Sequence, residues 1–123
     1  MKILVVDDSW SLTIAEVFRR WFPGAEVETA ETGDAAIEKV RNNEYLFVTM
    51  DGNLGVMSSF NGPQTVAEIR KFSKVPIVMM SSSWQMNDAG VKYGANVSFF
   101  NKLCCFEDKE DFVLLLKGAG IIP

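Results

Sequence analysis

Short apolar runs alternate with amphipathic segments along the whole chain. Three of the runs are almost entirely apolar, which is typical of strands that are buried on both faces of a sheet. The run from Glu26 to Ala30 alternates polar with apolar residues and therefore suits a more exposed strand. Together the runs predict five strands, at residues 3–6, 26–30, 45–50, 76–80 and 97–100.

The segments between these runs carry the period of amphipathic helices. Pro23 and Gly24 end the first segment. Thr32 is placed to cap the second, and Pro63 falls in the first turn of the third. The predicted helices are residues 12–22, 34–42, 61–72, 84–93 and 107–117. Such alternation forces an α/β fold, with five parallel strands, right-handed crossovers and five helices on both faces, in a single domain over residues 1–123.

The composition excludes several classes of protein. The chain has 123 residues and a net charge of −4, with no basic block that could neutralise nucleic-acid phosphates. No apolar run approaches the roughly 20 residues that span a bilayer, and the acidic start does not resemble a signal peptide, so we expect a cytoplasmic location. Without a histidine the chain cannot be a histidine kinase or a Ser-His-Asp hydrolase. Cys104 and Cys105 are adjacent and read as reduced thiols.

Polar side chains follow four of the predicted strands. Asp7 and Asp8 end the first strand, and Asp51 ends the third. Ser81 follows the fourth strand, and Lys102 follows the fifth. Because parallel strands bring their carboxyl ends to one edge of the sheet, these groups are expected to meet there, where open α/β sheets bind their ligands.

The chemistry of this group favours phosphoryl transfer to an aspartate. Three carboxylates in one place repel each other, and a hard divalent cation such as Mg²⁺ relieves the conflict. A nearby lysine can pair with a carboxylate or a phosphoryl oxygen, and a hydroxyl can donate a hydrogen bond to developing charge. Catalysis of such a transfer consists mostly of positioning and charge neutralisation.

The segments that carry these residues, "ILVVDD", "FVTMDGN", "VPIVMMSS" and "GANVSFFNK", occur in the order and spacing of a known family. The chain resembles the receiver domain of two-component response regulators, the CheY-like fold, over essentially its whole length. The resemblance implies a sheet with strand order 2-1-3-4-5. It also implies a domain that catalyses its own aspartyl phosphorylation and dephosphorylation, without turnover of an external substrate.

The resemblance assigns a role to each residue of the group. Asp51 would be the phosphoacceptor, Ser81 the switch hydroxyl, and Lys102 the conserved lysine that pairs with the phosphoryl group or a carboxylate. Phe99 would be the switch aromatic. The metal, Mg²⁺ or Mn²⁺, would be held by the side chains of Asp7, Asp8 and Asp51 and by the backbone carbonyl of Asn53.

The resemblance also implies partners. A sensor histidine kinase or a histidine phosphotransfer protein would supply the phosphoryl group. Phosphorylation would draw Ser81 toward the phosphoryl group and change the face made by the fourth helix, fifth strand and fifth helix, which a downstream protein or output domain would read. Dimerisation through that face, dependent on phosphorylation, is compatible with this scheme, whereas binding to nucleic acid or membrane by this domain alone is not expected.

Three departures from the family pattern leave an alternative open. Asp51 and Gly62 are eleven residues apart, which predicts a lengthened loop beside the acceptor. Leu103 stands where the family has a proline after the lysine, and Ser82 stands where it commonly has alanine. The alternative is a degenerate receiver that acts as a phosphorylation-independent interaction module.

Two other classes are rejected. A phosphatase of the haloacid dehalogenase type needs an aspartate where Thr49 stands, two residues before Asp51. A flavodoxin-like flavin carrier needs a phosphate-binding loop after the first strand, where Asp7 and Asp8 would repel the phosphate.

Overall fold

Five parallel strands form a single sheet in the order β2-β1-β3-β4-β5, which confirms the predicted topology. The structure, a computed structural model, describes residues 1–99 and 109–123. The strands are β1 (Lys2–Val6), β2 (Glu26–Ala30), β3 (Phe47–Met50), β4 (Ile77–Met79) and β5 (Val97–Ser98).

Five helices connect and follow the strands, as the pattern predicts. They are α1 (Ser11–Trp21), α2 (Gly33–Asn42), α3 (Gly62–Arg70), α4 (Trp84–Lys92) and α5 (Lys109–Gly118). The fifth strand ends at Ser98, before the predicted end at residue 100. The predicted start of the fifth helix, at residue 107, lies outside the described residues. In the part of the chain that is described, none of the helices has the length and apolar character needed to cross a bilayer.

Polar side chains fix where three of the helices begin. Thr32 Oγ1 accepts from the N–H of Ala35 at 3.1 Å, which confirms its predicted role as the cap of α2. Asn61 and Gln64 form a reciprocal capping box at the start of α3. Ser83 caps α4 through the N–H of Met86. These caps place the starts of the helices close to the strand ends that they follow.

The sheet is buried on both faces. Ile3 and Val5 point into one apolar layer and Leu4 and Val6 into the other, and all four side chains are at most 1% exposed. This arrangement explains why the first strand is continuously apolar rather than alternating.

Each face of the sheet has its own layer. The first layer is covered by α1 and α5 and is rich in aromatic rings: Phe18 lies 5.7 Å from Phe47 and 5.2 Å from Phe112, centroid to centroid. The second layer is covered by α2 and α3, through residues such as Val40 and Val66. Packing on both faces holds the strand ends in fixed relative positions.

The third strand is shorter than the pattern predicts, as are the fourth, which spans Ile77–Met79, and the fifth, which ends at Ser98. The sequence predicts a strand over residues 45–50, but β3 begins at Phe47. Tyr45 is buried before the strand, and its hydroxyl donates to Glu28 Oε1 at 2.7 Å. The hydroxyl of this tyrosine makes a side-chain hydrogen bond, which the apolar pattern of the sequence does not predict.

The hydrogen bond from Tyr45 changes the titration of both partners. It lowers the pKa of Glu28 below its ordinary value of 4.5, assisted by Lys2 and Lys39. Burial, followed by the contact with Glu28, raises the pKa of Tyr45. A carboxyl whose pKa is lowered by folding stabilises the fold above its unfolded pKa, and this contribution is lost as the pH falls through the lowered value.

We therefore expect Tyr45→Phe to lower the free energy of unfolding by about 1 kcal/mol near pH 7, because the hydrogen bond to the carboxylate is lost. The difference from the unmodified chain should shrink as the pH falls below 4.5, the ordinary pKa of Glu28. Urea denaturation at several pH values measures it. Tyr93→Phe, at an exposed tyrosine, is the matched control, and a difference independent of pH would contradict the assignment to Glu28.

Candidate functional site

The parallel hydrogen-bond ladder continues past the strand ends and places the predicted aspartates. The N–H of Asp51 donates to the carbonyl of Val6 at 2.9 Å, and the N–H of Asp7 donates to the carbonyl of Ala30 at 3.0 Å. These bonds fix the two aspartates at the carboxyl edge of neighbouring strands, which is the convergence that the sequence predicts.

Three carboxylates meet at this edge. One oxygen from each of Asp7, Asp8 and Asp51 can be chosen such that all three oxygens lie within 4.8 Å of one another. Asp7 and Asp51 are 1% and 5% exposed, whereas Asp8 faces solvent. The result is a set of hard oxygen donors, two of them buried, that opens to water on one side.

Asp7 is oriented by the turn into α1. Its Oδ1 accepts from the N–H of Ser9 at 3.0 Å and from the N–H of Trp10 at 2.8 Å. An aspartate at a strand end can serve simply to organise the next helix, and Asp7 does organise this turn. Both bonds use one oxygen, so the same residue fixes the turn and contributes charge to the cluster.

Backbone contacts hold Asp51. Its Oδ1 accepts from the N–H of Gly52 at 2.8 Å. The N–H of Gly62, at the start of α3, donates to the carbonyl of Gly52 at 2.8 Å. A Cβ on Gly62 would overlap the Asp51 carbonyl oxygen, so only glycine lets α3 begin so close to Asp51.

The hydroxyl of Ser81 lies beside the same loop. A Cβ on Gly52 would come within 2.9 Å of Ser81 Oγ. Ser81 Oγ accepts from the N–H of Ser83 at 3.1 Å. The sequence leaves open which of the consecutive serines caps the fourth helix, and the structure gives that role to Ser83. Ser81 is therefore the serine turned toward the acceptor loop.

Asn87 lies next to the site, and the sequence does not predict it there. It is 1% exposed, its Oδ1 accepts from the N–H of Ser81 at 3.0 Å, and its Nδ2 donates to the Ser81 carbonyl at 2.9 Å. The only signal in the sequence is an amide in the first half of a helix, six positions after the serine. Such a signal does not distinguish a buried amide from a solvated one.

The lengthened loop is anchored rather than loose. Leu54 is 2% exposed and packs into the second apolar layer. Ser58 Oγ accepts from the N–H of Gly33 at 2.8 Å, and the N–H of Ser59 donates to Asp34 Oδ2 at 2.9 Å. The latter bond lowers the pKa of Asp34. These contacts fasten the loop to the start of α2, away from Asp51.

Asn53, whose carbonyl is a predicted metal ligand, lies in a turn of this loop. Its side chain is exposed, and Oδ1 accepts from the N–H of Gly55 at 3.0 Å. Gly55 has a φ of 77° and lies beside the Asp8 carboxylate, since a Cβ there would be 3.1 Å from Asp8 Oδ2. The role of the Asn53 carbonyl stays a prediction.

Two predicted residues, Phe99 and Lys102, belong to the predicted fifth strand and the segment after it. Phe99 is half-buried in the first apolar layer and meets Phe112 of α5 edge to face at 5.3 Å. Its role as a switch aromatic stays a prediction. Lys102 lies outside the described residues, as do Leu103, Cys104 and Cys105.

Comparison with known proteins decides the family. The family described as "Response regulator receiver domain" matches residues 3–108. The chain belongs to this family.

Relatives of this receiver domain include larger proteins. It is 36% identical over 97 residues to a transcriptional regulatory protein, a CpxR homolog, of Haemophilus influenzae, in a match that covers 77% of this chain and 41% of the relative. It is 39% identical over 84 residues to a protein-glutamate methylesterase/protein-glutamine glutaminase of Vibrio cholerae, covering 67% of this chain and 22% of the relative. The chain thus spans less than half the length of these curated relatives.

Solved structures support the fold. A CheY-like response regulator receiver domain protein from Methanospirillum hungatei superposes with a TM-score of 0.77 at 21% identity, covering 97% of this chain and 95% of that one. At this identity the likeness bears on the architecture alone. It agrees with the sheet order seen in this receiver domain.

We expect Gly62→Ala to destabilise this receiver domain by about 3 kcal/mol, because the new methyl group collides with backbone at Asp51 that cannot give way without disturbing the strand end. Chemical denaturation followed by circular dichroism measures the loss. Gly118→Ala is the matched control, since no atom lies within 4 Å of a Cβ there. Equal stability of the two variants would show that α3 can retreat from the acceptor at little cost.

Proposed function

We propose that this receiver domain is a phosphoacceptor switch in which Asp51 takes a phosphoryl group from a phosphohistidine donor in a reaction that requires Mg²⁺. The observation that carries the proposal is the convergence of three carboxylates, two of them buried, at the carboxyl edge of the sheet. Receiver domains work with histidine kinases and output domains, and the donor proposed for this chain is a sensor kinase or a histidine phosphotransfer protein.

The carboxylate cluster fits a divalent metal. Buried like charges are costly unless they are compensated, and three carboxylate oxygens are the donor type that Mg²⁺ and Mn²⁺ prefer. The ion would be held by Asp7, Asp8 and Asp51, together with the carbonyl of Asn53. When bound, it supplies positive charge for the oxygens of the transferring phosphoryl group.

The residues of the chain account for the rest of the transfer. One carboxylate oxygen of Asp51 attacks phosphorus, the P–N bond of the phosphohistidine breaks, and its electron pair returns to the imidazole nitrogen, which takes up a proton. The Gly52 N–H holds the Asp51 carboxylate during this attack. Ser81 Oγ–H then donates a hydrogen bond to a phosphoryl oxygen, and Lys102 pairs with the same group.

The proposed output is the face made by α4, β5 and α5. A groove of about 470 Å³ on this face is lined by residues of all three elements, among them Trp84, Ser98 and Leu115. Trp84 is 60% exposed. A downstream protein or output domain would read this face, and phosphorylation-dependent dimerisation through it stays a prediction, as does the cytoplasmic location.

Incubation with acetyl phosphate and Mg²⁺ should add the mass of one phosphoryl group to the intact protein, because Asp7 and Asp8 lie beside Asp51 and would hold there the cation that neutralises the transferring group. Intact-mass spectrometry measures the adduct. Asp51→Asn should abolish it, whereas Asp111→Asn, at an exposed aspartate on α5, should leave it unchanged.

A missing adduct would require a second test, beryllofluoride binding, because rapid hydrolysis can hide an aspartyl phosphate. If the folded protein takes up neither group, the phosphoacceptor proposal is wrong. The degenerate receiver, acting as an interaction module without phosphorylation, then becomes the better explanation.

Asp8→Asn should distinguish the effect of metal binding on stability from the effect of charge repulsion. Without divalent ions the variant should be more stable than the unmodified chain by about 1 kcal/mol, because one of three repelling charges is removed at a solvent-facing position. Saturating Mg²⁺ should stabilise the unmodified chain and have little effect on the variant. Thermal unfolding in EDTA and in Mg²⁺ measures both effects, and Asp111→Asn serves again as control. An equal response to Mg²⁺ in all three proteins would remove Asp8 from the metal site.

A further inference from the structure

The first turn of α4 is in direct contact with the acceptor loop. A Cβ on Gly52 would lie 2.5 Å from Met86 Cβ and 2.9 Å from Ser81 Oγ. Asp51 is therefore followed by a residue with no side chain, against which both the predicted switch serine and α4 are packed. A group added to Asp51 is close to both.

Asn87 links Ser81 to α4 through two hydrogen bonds, one that it accepts and one that it donates. Its Oδ1 accepts from the Ser81 N–H and its Nδ2 donates to the Ser81 carbonyl, at 3.0 and 2.9 Å. The N–H and the carbonyl belong to the two peptide units on either side of the Ser81 Cα. Because one rigid amide holds both units, Ser81 cannot shift or turn its backbone without moving Asn87 or breaking these bonds.

The same residue reaches the proposed output face. Asn87 lines the groove of about 470 Å³ together with Trp84 and Val91 of α4. Phe99, in contrast, packs on Phe112 of α5 in the first apolar layer. Gly90 of α4 lies against Met79, which belongs to the second layer. Among the described residues, Asn87 is therefore the one whose side chain both bonds to Ser81 and borders the groove.

We propose that Asn87 is a positioning residue that couples Ser81 to α4. When Ser81 moves toward a phosphoryl group on Asp51, its two backbone bonds move Asn87, and with it the first turn of α4 and the wall of the groove. This inference rests on the proposed phosphoacceptor function.

A purely structural role predicts something different. Buried backbone groups need partners, and Asn87 supplies two. If that were its whole contribution, its loss would lower stability without altering how α4 responds to the state of Asp51. The decisive readout is therefore the response of α4 at a fixed occupancy of the site.

The three tryptophans offer this readout. Trp84 is the first residue of α4, the backbone N–H of Trp10 donates to Asp7 in the carboxylate cluster, and Trp21 is buried in α1. With 5-fluorotryptophan incorporated, each gives one ¹⁹F resonance, assigned by Trp→Phe variants. Trp10 reports occupancy of the site, Trp84 reports α4, and Trp21 is the internal reference.

Beryllofluoride with Mg²⁺ serves as the probe for the phosphorylated state. In the unmodified chain we expect the Trp10 and Trp84 resonances to shift at saturation and the Trp21 resonance to stay. In Asn87→Ala, Trp10 should still shift, while the shift of Trp84 is lost. Asn87→Asp, which keeps the acceptor for the Ser81 N–H, should give a reduced Trp84 shift and provides the test if the alanine variant does not fold.

Asn96→Ala is the matched control. Asn96 Oδ1 accepts from the N–H of Ile77 at 2.9 Å, at the opposite end of β4 from Ser81. Its loss removes the same kind of bond from the same strand without touching the site, so the Trp84 shift should remain.

The outcomes separate the two proposals. No beryllofluoride uptake by the unmodified chain would overturn the phosphoacceptor function and, with it, the coupling. Uptake with an unmoved Trp84 resonance in the unmodified chain would overturn the coupling alone. A full Trp84 shift in the Asn87 variants would also overturn it, as would an equal loss of that shift in Asn96→Ala.

Discussion

Repulsion among three carboxylates is the constraint on which the rest of this molecule depends. A parallel sheet carries Asp7, Asp8 and Asp51 to one edge, and their oxygens come within 4.8 Å of one another. The fold itself brings these like charges close together. The hydrogen bonds from Asp7 to Ala30 and from Asp51 to Val6, and the apolar layers on both faces of the sheet, hold the charges together. Because domains are stable by only about 5–15 kcal/mol, this stored repulsion makes the edge responsive to any ligand that relieves it.

The second constraint is space. Asp51 is followed by Gly52, and α3 begins with Gly62, at positions where a Cβ would meet Ser81 Oγ in one case and the Asp51 carbonyl in the other. Because these two positions carry no side chain, Asp51, the Ser81 hydroxyl and the start of α3 fit into one small volume. The sheet topology thus concentrates the negative charge. The two glycines, which have no side chain, let Ser81 and the start of α3 approach it closely.

The sequence predicts the architecture and the main residues of the site because both depend on local patterns. Continuous apolar runs identify the buried strands, and the acidic residues at their ends identify the edge where the carboxylates meet. The features that were not predicted depend on which groups a side chain meets once the chain is folded. Asn87 looks like any polar helical residue until its partner, the backbone of Ser81, is seen. Leu12 follows the helical period of α1 yet is 72% exposed, because periodicity does not fix how far the apolar layer extends.

The lengthened loop after Asp51 illustrates why a departure from a family pattern need not disable a site. Extra residues beside an acceptor could displace it, and on that ground the sequence leaves a degenerate receiver open. In the structure the added length is taken up elsewhere: Leu54 enters the core, and Ser58 and Ser59 bond to the start of α2. Beside the acceptor, Gly52 and Gly62 remain joined by a hydrogen bond of 2.8 Å. The far part of the loop is thus accommodated at the start of α2, Gly55 lies beside Asp8, and the backbone bonds at Asp51 and Gly52 are kept.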